Sequence, residues 1–174
     1  MVVLLFANDY EYTIQENLKV EAMVSVLNNL LFENIREEMS GVYVVQAVEQ
    51  TINQKKPEIM LQIILGCAPD RVDELIDAIH DQINTIKNNE FEDKYIDTFK
   101  ETFHQRIDRD LRTNRFWRGR LMDLHIDNLK VDDILNTEKF AQNITREDVV
   151  NMANKYIDFG KRLRVVLLPE KGEN

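Results

Sequence analysis

From Thr13 to Ile35, apolar side chains recur at Leu18, Ala22, Met23, Val26, Leu27, Leu30, Leu31 and Ile35. Steps of three and four residues predict a helix, and an apolar set wider than one narrow stripe predicts that it is largely buried against a sheet. At about 25 residues it would be ~37 Å long. Before it, Val2 to Phe6 forms a continuous apolar run that reads as a strand, and Thr13 with Glu16 has the spacing of a capping box. After it, Gly41 stands where a left-handed turn closes a helix, ahead of the β-branched run Val42, Val44 and Val45.

The pattern then alternates as strands do. Val42 to Ile52 and Glu58 to Cys67 are predicted to pair antiparallel through the turn Asn53 to Pro57. Pro69 opens a second helix with Asp70, Asp73 and Glu74 in its first turns and the stripe Val72, Leu75, Ile76, Ile79, Ile83 and Ile86, expected to pack on the sheet. After Asn88 and Asn89, the positions Phe91, Tyr95, Phe99, Phe103, Ile107 and Leu111 continue at steps of four as the core stripe of a third helix. Leu121 to Phe140 reads as short helical pieces, one of them Val131 to Leu135. Thr145 caps a further helix reaching Tyr156, and Leu163 to Leu168, before Pro169, forms the last strand. The order of elements predicts an α+β fold, a two-layer sandwich with helices on one face of a mixed or antiparallel sheet.

Composition narrows the function. With 174 residues, 44% hydrophobic and 30% charged, the chain suffices for a single domain over its whole length with a sizeable core. A net charge of −9 argues against a nucleic-acid surface, which needs an excess of Lys and Arg. Six arginines fall between Arg106 and Arg120 beside Phe116 and Trp117, but the interleaved Asp108 and Asp110 favour ion pairing on a helix surface. No apolar run approaches the ~20 residues of a membrane span, and the start of the chain has no basic region of the kind that opens a signal peptide. The compartment stays open. Because the first residues already form a strand, we expect the chain to be a piece of a larger protein.

The candidate chemistry is sparse. Cys67, the single cysteine, ends an apolar strand and is expected to be a buried, inert thiol. His80, His104 and His125 are scattered and start no zinc motif, and His80 and His104 are expected to be solvated surface residues. No serine elbow or phosphate-binding glycine loop occurs, so the expected metal and cofactor content of this chain is none. What stands out is Arg36 on the last helical turn and Tyr43 at the mouth of the next strand. They could serve structure, as a helix-end cation and a packed ring, or offer a planar cationic fork and a phenolic donor to one carbonyl or carboxylate.

The run Phe32-Glu33-Asn34-Ile35-Arg36-Glu37-Glu38 followed by Gly41-Val42-Tyr43 resembles the corner found in the C-terminal half of the pitrilysin-like (insulinase) zinc metallopeptidases. Asn114-x-Phe116-Trp117, Ile144-Thr145-x-x-Asp148-Val149, Ala153-x-x-Tyr156 and Val165-Val166-x-x-Pro169-Glu170 are similar to further segments of that family. The resemblance implies a domain that does not bind zinc. In the family, zinc is held by an inverted His-x-x-Glu-His motif in the other half, and that motif is absent here. It further implies that Arg36 and Tyr43 reach across a closed chamber towards peptide substrate, with the zinc-bearing N-terminal half as partner. Two readings follow. One is an accessory, substrate-binding domain of a zinc peptidase. The other is a catalytically inactive scaffold, a role to which some members of the wider family have turned.

Overall fold

In the computed structural model, residues 1–39, 41–53, 55–127 and 129–167 are described. Ser40 and Gln54, which belong to the expected corner and hairpin turn, lie outside that set, as do Leu168, Pro169 and Glu170 from the expected end of the last strand. The strands are β1 (Val2–Asp9), β2 (Val42–Ile52), β3 (Glu58–Cys67) and β4 (Leu163–Val166). They form one sheet in the order β2-β3-β1-β4, and every pairing is antiparallel. The helices are α1 (Ile14–Leu31), α2 (Val72–Lys87), α3 (Lys94–Asp110), α4 (Asn114–Ile126), α5 (Val131–Leu135), α6 (Thr137–Gln142) and α7 (Arg146–Tyr156). The α+β arrangement is the expected one.

Alternation along the strands decides which face is covered. Val2, Leu4 and Phe6 of β1 and Ile59, Leu61, Ile63 and Leu65 of β3 are buried. The register places Val2 beside Leu65, Leu4 beside Ile63 and Phe6 beside Leu61, so these residues share the face that meets the helices. Val3, Leu5 and Ile64 on the other face are only half-buried. The run Val2 to Phe6 is therefore apolar on both sides, with helices on one.

Helix α1 is the hub. Its buried residues include Leu18, Val20, Met23, Val24, Val26 and Leu30, which span about two thirds of the circumference, and it runs against β2 as well as α2, α3, α6 and α7. A helix apolar over so much of its surface must be covered on several sides. Asn28, in its middle, donates from Nδ2 to the carbonyl of Ala47 at 2.9 Å and accepts from the Ala47 N–H at 2.7 Å. One side-chain amide thus satisfies both backbone groups of a residue on edge strand β2.

The start of α1 differs from the expected capping box. Thr13 accepts from the Glu16 N–H at 3.0 Å, but the Glu16 carboxylate turns away to Lys155 at 2.6 Å and the Tyr156 hydroxyl at 2.7 Å, tying α1 to the end of α7. The reciprocal box forms at α7 instead, between Thr145 and Asp148, and Lys19 reaches Asp148 at 2.8 Å. In α2 the expected stripe is buried, and Arg164 of β4 meets Asp73 at 2.7 Å. The turn into α3 uses Asn89 at a left-handed φ of 61°, held by Arg146, which donates to Asn89 and Asp93. Phe91 lies ahead of α3 yet is buried with Tyr95, Phe99, Phe103 and Ile107. Leu111 breaks the expected stripe: it caps α3 and is 40% exposed.

Two measurements test this packing. Ile79 is 0% exposed, so Ile79→Ala should cost about 2 to 5 kcal/mol by chemical denaturation. Burial alone would raise the pKa of Glu16 and of Asp148, but bonds from Lys155 and Tyr156 to the first, and from Lys19 and Thr145 to the second, outweigh it and hold both carboxyls below their ordinary range. Carboxyls depressed in the folded state stabilise it above their unfolded values, and this contribution is lost as pH falls through the folded ones. Urea midpoints should therefore drop between about pH 5 and pH 3, and more shallowly in Glu16→Gln.

Candidate functional site

The corner between α1 and β2 is built by three local departures from regularity. At Phe32 the helix widens into a π-helical turn, Phe32–Glu37, in which Ile35 stays fully buried while Arg36 is turned outward. Gly41 follows at φ +80°, a left-handed conformation in which an added side chain is strained even though its Cβ would meet only the Arg71 side chain, at an ordinary contact distance of 3.5 Å. The third departure is a bulge. Val42 pairs with Cys67 and Val44 with Gly66, so Tyr43 is the extra residue on β2.

The bulge determines where Tyr43 goes. A Cβ added to Gly66 would lie 2.8 Å from Val44 Cγ1 and 3.9 Å from Tyr43 Cβ, so both side chains stand over the glycine, on the sheet face away from the helices. Only the missing side chain at position 66 leaves room for them. Tyr43 is 77% exposed, whereas a strand tyrosine used for packing would be half-buried. It stands at the edge of a shallow groove of about 270 Å³ that is also lined by Cys67, Pro69, Val72 and Val166.

Arg36 lies on the helix side of Gly41 with its guanidinium 5.1 Å from the centroid of the Phe32 ring. Among the described residues it has no carboxylate partner, and nearby Glu33 is engaged by Tyr95 and Lys94. The structure thus places the two candidate residues on either side of Gly41, both exposed and, among the described residues, without a side-chain hydrogen bond or ion pair. A planar fork and a phenol are donors suited to a carbonyl or carboxylate supplied from outside.

The other candidates resolve differently. Cys67 is half-buried rather than buried, and burial pushes its thiol up, away from the reactive thiolate. His80 is not a free surface residue, because it stacks on Phe159 with centroids 4.2 Å apart. His104 is exposed and pairs with Glu138 at 2.6 Å, a hydrogen bond that raises its pKa. Among the described residues no group of three His, Cys, Asp or Glu side chains converges on a point that could hold a metal ion. Arg106, Arg109, Arg112 and Arg120 make ion pairs with Glu21, Asp110, Asp108 and Asp123, as the interleaved acids suggested.

The wide helical turn and the bulge were not read from sequence. Gly66 was the available signal for the bulge: a glycine inside a strand marks a close approach or an irregular pairing. The two-handed grip of Asn28 on Ala47 left no signal, because an asparagine in a helix carries no mark of a partner 19 positions away.

Comparison with known proteins places this geometry. A family model described as the peptidase M16 inactive domain matches residues 1–103, which include the whole corner. A search of curated proteins finds no match. Among solved structures, the periplasmic protease PqqL from Escherichia coli superposes with a TM-score of 0.74 at 20% identity, over 90% of this chain and 17% of that one. A protease from Helicobacter pylori gives 0.74 at 15% identity, covering 94% of this chain and 39% of that one. The peptidase M16 inactive domain from Pseudomonas fluorescens gives 0.75 at 16%, covering 94% and 40%. The chain thus spans less than half the length of each, and at these identities the likeness is one of fold. With the family model running from β1 through α1, the corner and α2 into α3, the chain belongs to the peptidase M16 inactive-domain family, the non-zinc-binding counterpart in pitrilysin-like peptidases.

Proposed function

We propose that this chain is the accessory, zinc-free substrate-binding domain of a pitrilysin-like zinc metallopeptidase, one domain of a longer polypeptide whose zinc-bearing N-terminal half is its partner. The supporting observation is the bulge at Tyr43. It costs the sheet a regular pairing and sets a phenol, 77% exposed, on the side of the sheet away from the helices, with Arg36, which has no carboxylate partner among the described residues, across Gly41. Bulges that re-aim a side chain are over-represented next to active sites.

In this reading Tyr43 donates its hydroxyl proton in a hydrogen bond to a carbonyl oxygen of the bound peptide, and the bond strengthens as negative charge develops on that oxygen. Arg36 grips a neighbouring oxygen with its fork and fixes the orientation of the backbone. This chain's own residues do not fit zinc. Its histidines sit apart on α2, α3 and α4, and its cysteine lies at the end of β3. Zinc chemistry therefore belongs to the partner half.

Tyr43→Phe removes one donor from an exposed position, so the melting temperature should hardly move. Turnover of a peptide by the domain combined with its zinc-bearing half should fall roughly 10²- to 10³-fold if the donor is pre-organised. Arg36→Lys keeps the charge, loses the fork, and should also lower activity. Unchanged activity in both variants would leave the alternative standing, a catalytically inactive structural domain of the same family. The isolated chain should retain no stoichiometric zinc after dialysis and hydrolyse no peptide. One zinc per chain by elemental analysis would sink the assignment.

A further inference from the structure

Helix α4 has no buried residue along its 13 positions. Phe116 and Leu124 lie partly against the core, and Asn53 bonds Asp127 at 2.9 Å just beyond its end. The opposite side is open: Trp117 is 37% exposed, Leu121 63%, Met122 54% and Ile126 69%. At about 100° per residue these four occupy one half of the helix circumference, with Arg118 between them. The Trp117 N–H is already satisfied by the Leu111 carbonyl at 2.9 Å, which leaves the ring free for apolar contact. The next helix, α5, adds exposed Val131 and Leu135. Among the described residues, Arg115 and Arg118 have no ion-pair partner, although the chain carries a net charge of −9.

We propose that the outer face of α4 is the docking surface for a neighbouring domain of the longer polypeptide, one that presents an apolar centre rimmed by acidic side chains. The proposal rests on the accessory-domain reading above. Charge selects the occupant. A second copy meeting this face about a two-fold axis would bring Arg118 against its own equivalent, whereas an acidic rim would neutralise Arg115 and Arg118. An anionic membrane would attract the arginines but repel the rest of a chain of charge −9. Chain length agrees with the choice, since the three solved relatives named above extend well beyond the 90–94% of this chain that they match, which makes up only 17–40% of their own length. Helix α4 also begins after residue 103, where the family model ends, so the face belongs to the part of the chain that the model does not describe.

The test is thiol labelling. With Cys67→Ser removing the native thiol, Leu121→Cys should react quickly with a maleimide in the 174-residue chain and at least about tenfold more slowly in the full-length polypeptide. Adding Arg118→Glu should restore fast labelling there. Equal rates in the two contexts overturn the docking face while leaving the Tyr43 measurement to decide substrate binding on its own. Concentration-dependent protection in the isolated chain, which indicates self-association, also overturns it. So does binding of the chain to phosphatidylserine vesicles that is abolished by Leu121→Asp. If protection is found and Tyr43→Phe leaves activity intact, the docking face stands and the substrate reading falls.

Discussion

The structure depends on surrounding one helix. Because α1 carries buried apolar side chains over most of its circumference, it is stable only when the sheet covers one flank and α2, α3, α6 and α7 cover others. That demand positions the rest. The strands must present one continuous apolar face to α1, the short helices must close over it, and the chain must leave the core where α1 stops. The corner with Arg36 and Tyr43 sits at that exit. Its location is thus fixed by the most heavily buried element of the fold, while its side chains remain at the surface.

Much of this was legible in the sequence because it follows from period and local chemistry. The 3.6-residue pattern of α1 and α2, the antiparallel hairpin and the Thr145 cap all depend on neighbours a few positions apart. What escaped depends on distant partners. Glu16 had the spacing to complete a cap but was drawn to Lys155 and Tyr156, about 140 positions on. His80 read as a surface residue until Phe159 was folded against it, and Leu111 continued the period of a stripe whose helix ends there. Arg36 and Tyr43 were legible as a pair, through the run of residues around them. The bulge that exposes Tyr43 was not, because it depends on what lies opposite in β3.

The sheet also shows how an apolar run can mislead. Val2 to Phe6 has the composition of a strand covered on both faces, yet the helices occupy only one. Val3, Leu5, Ile64 and Val44 are left on the other side with Tyr43. Among the described residues this apolar face carries no helix; on the proposed function it would receive an extended chain laid flat, with side chains on the apolar patch and a carbonyl at the Tyr43 hydroxyl.

The grip of Asn28 on Ala47 bears on how such a chain could approach. Strand β2 lies at the edge of the sheet, and a long free edge invites another strand to zip onto it, from a substrate or from a second copy of the protein. At Ala47 both backbone groups are already taken by a side chain rooted in the core helix. Backbone-to-backbone pairing along β2 is therefore interrupted at its middle. This breaks the ladder that edge-to-edge aggregation would need, and, on the proposed function, it would leave an incoming peptide the face of the sheet, where Tyr43 stands.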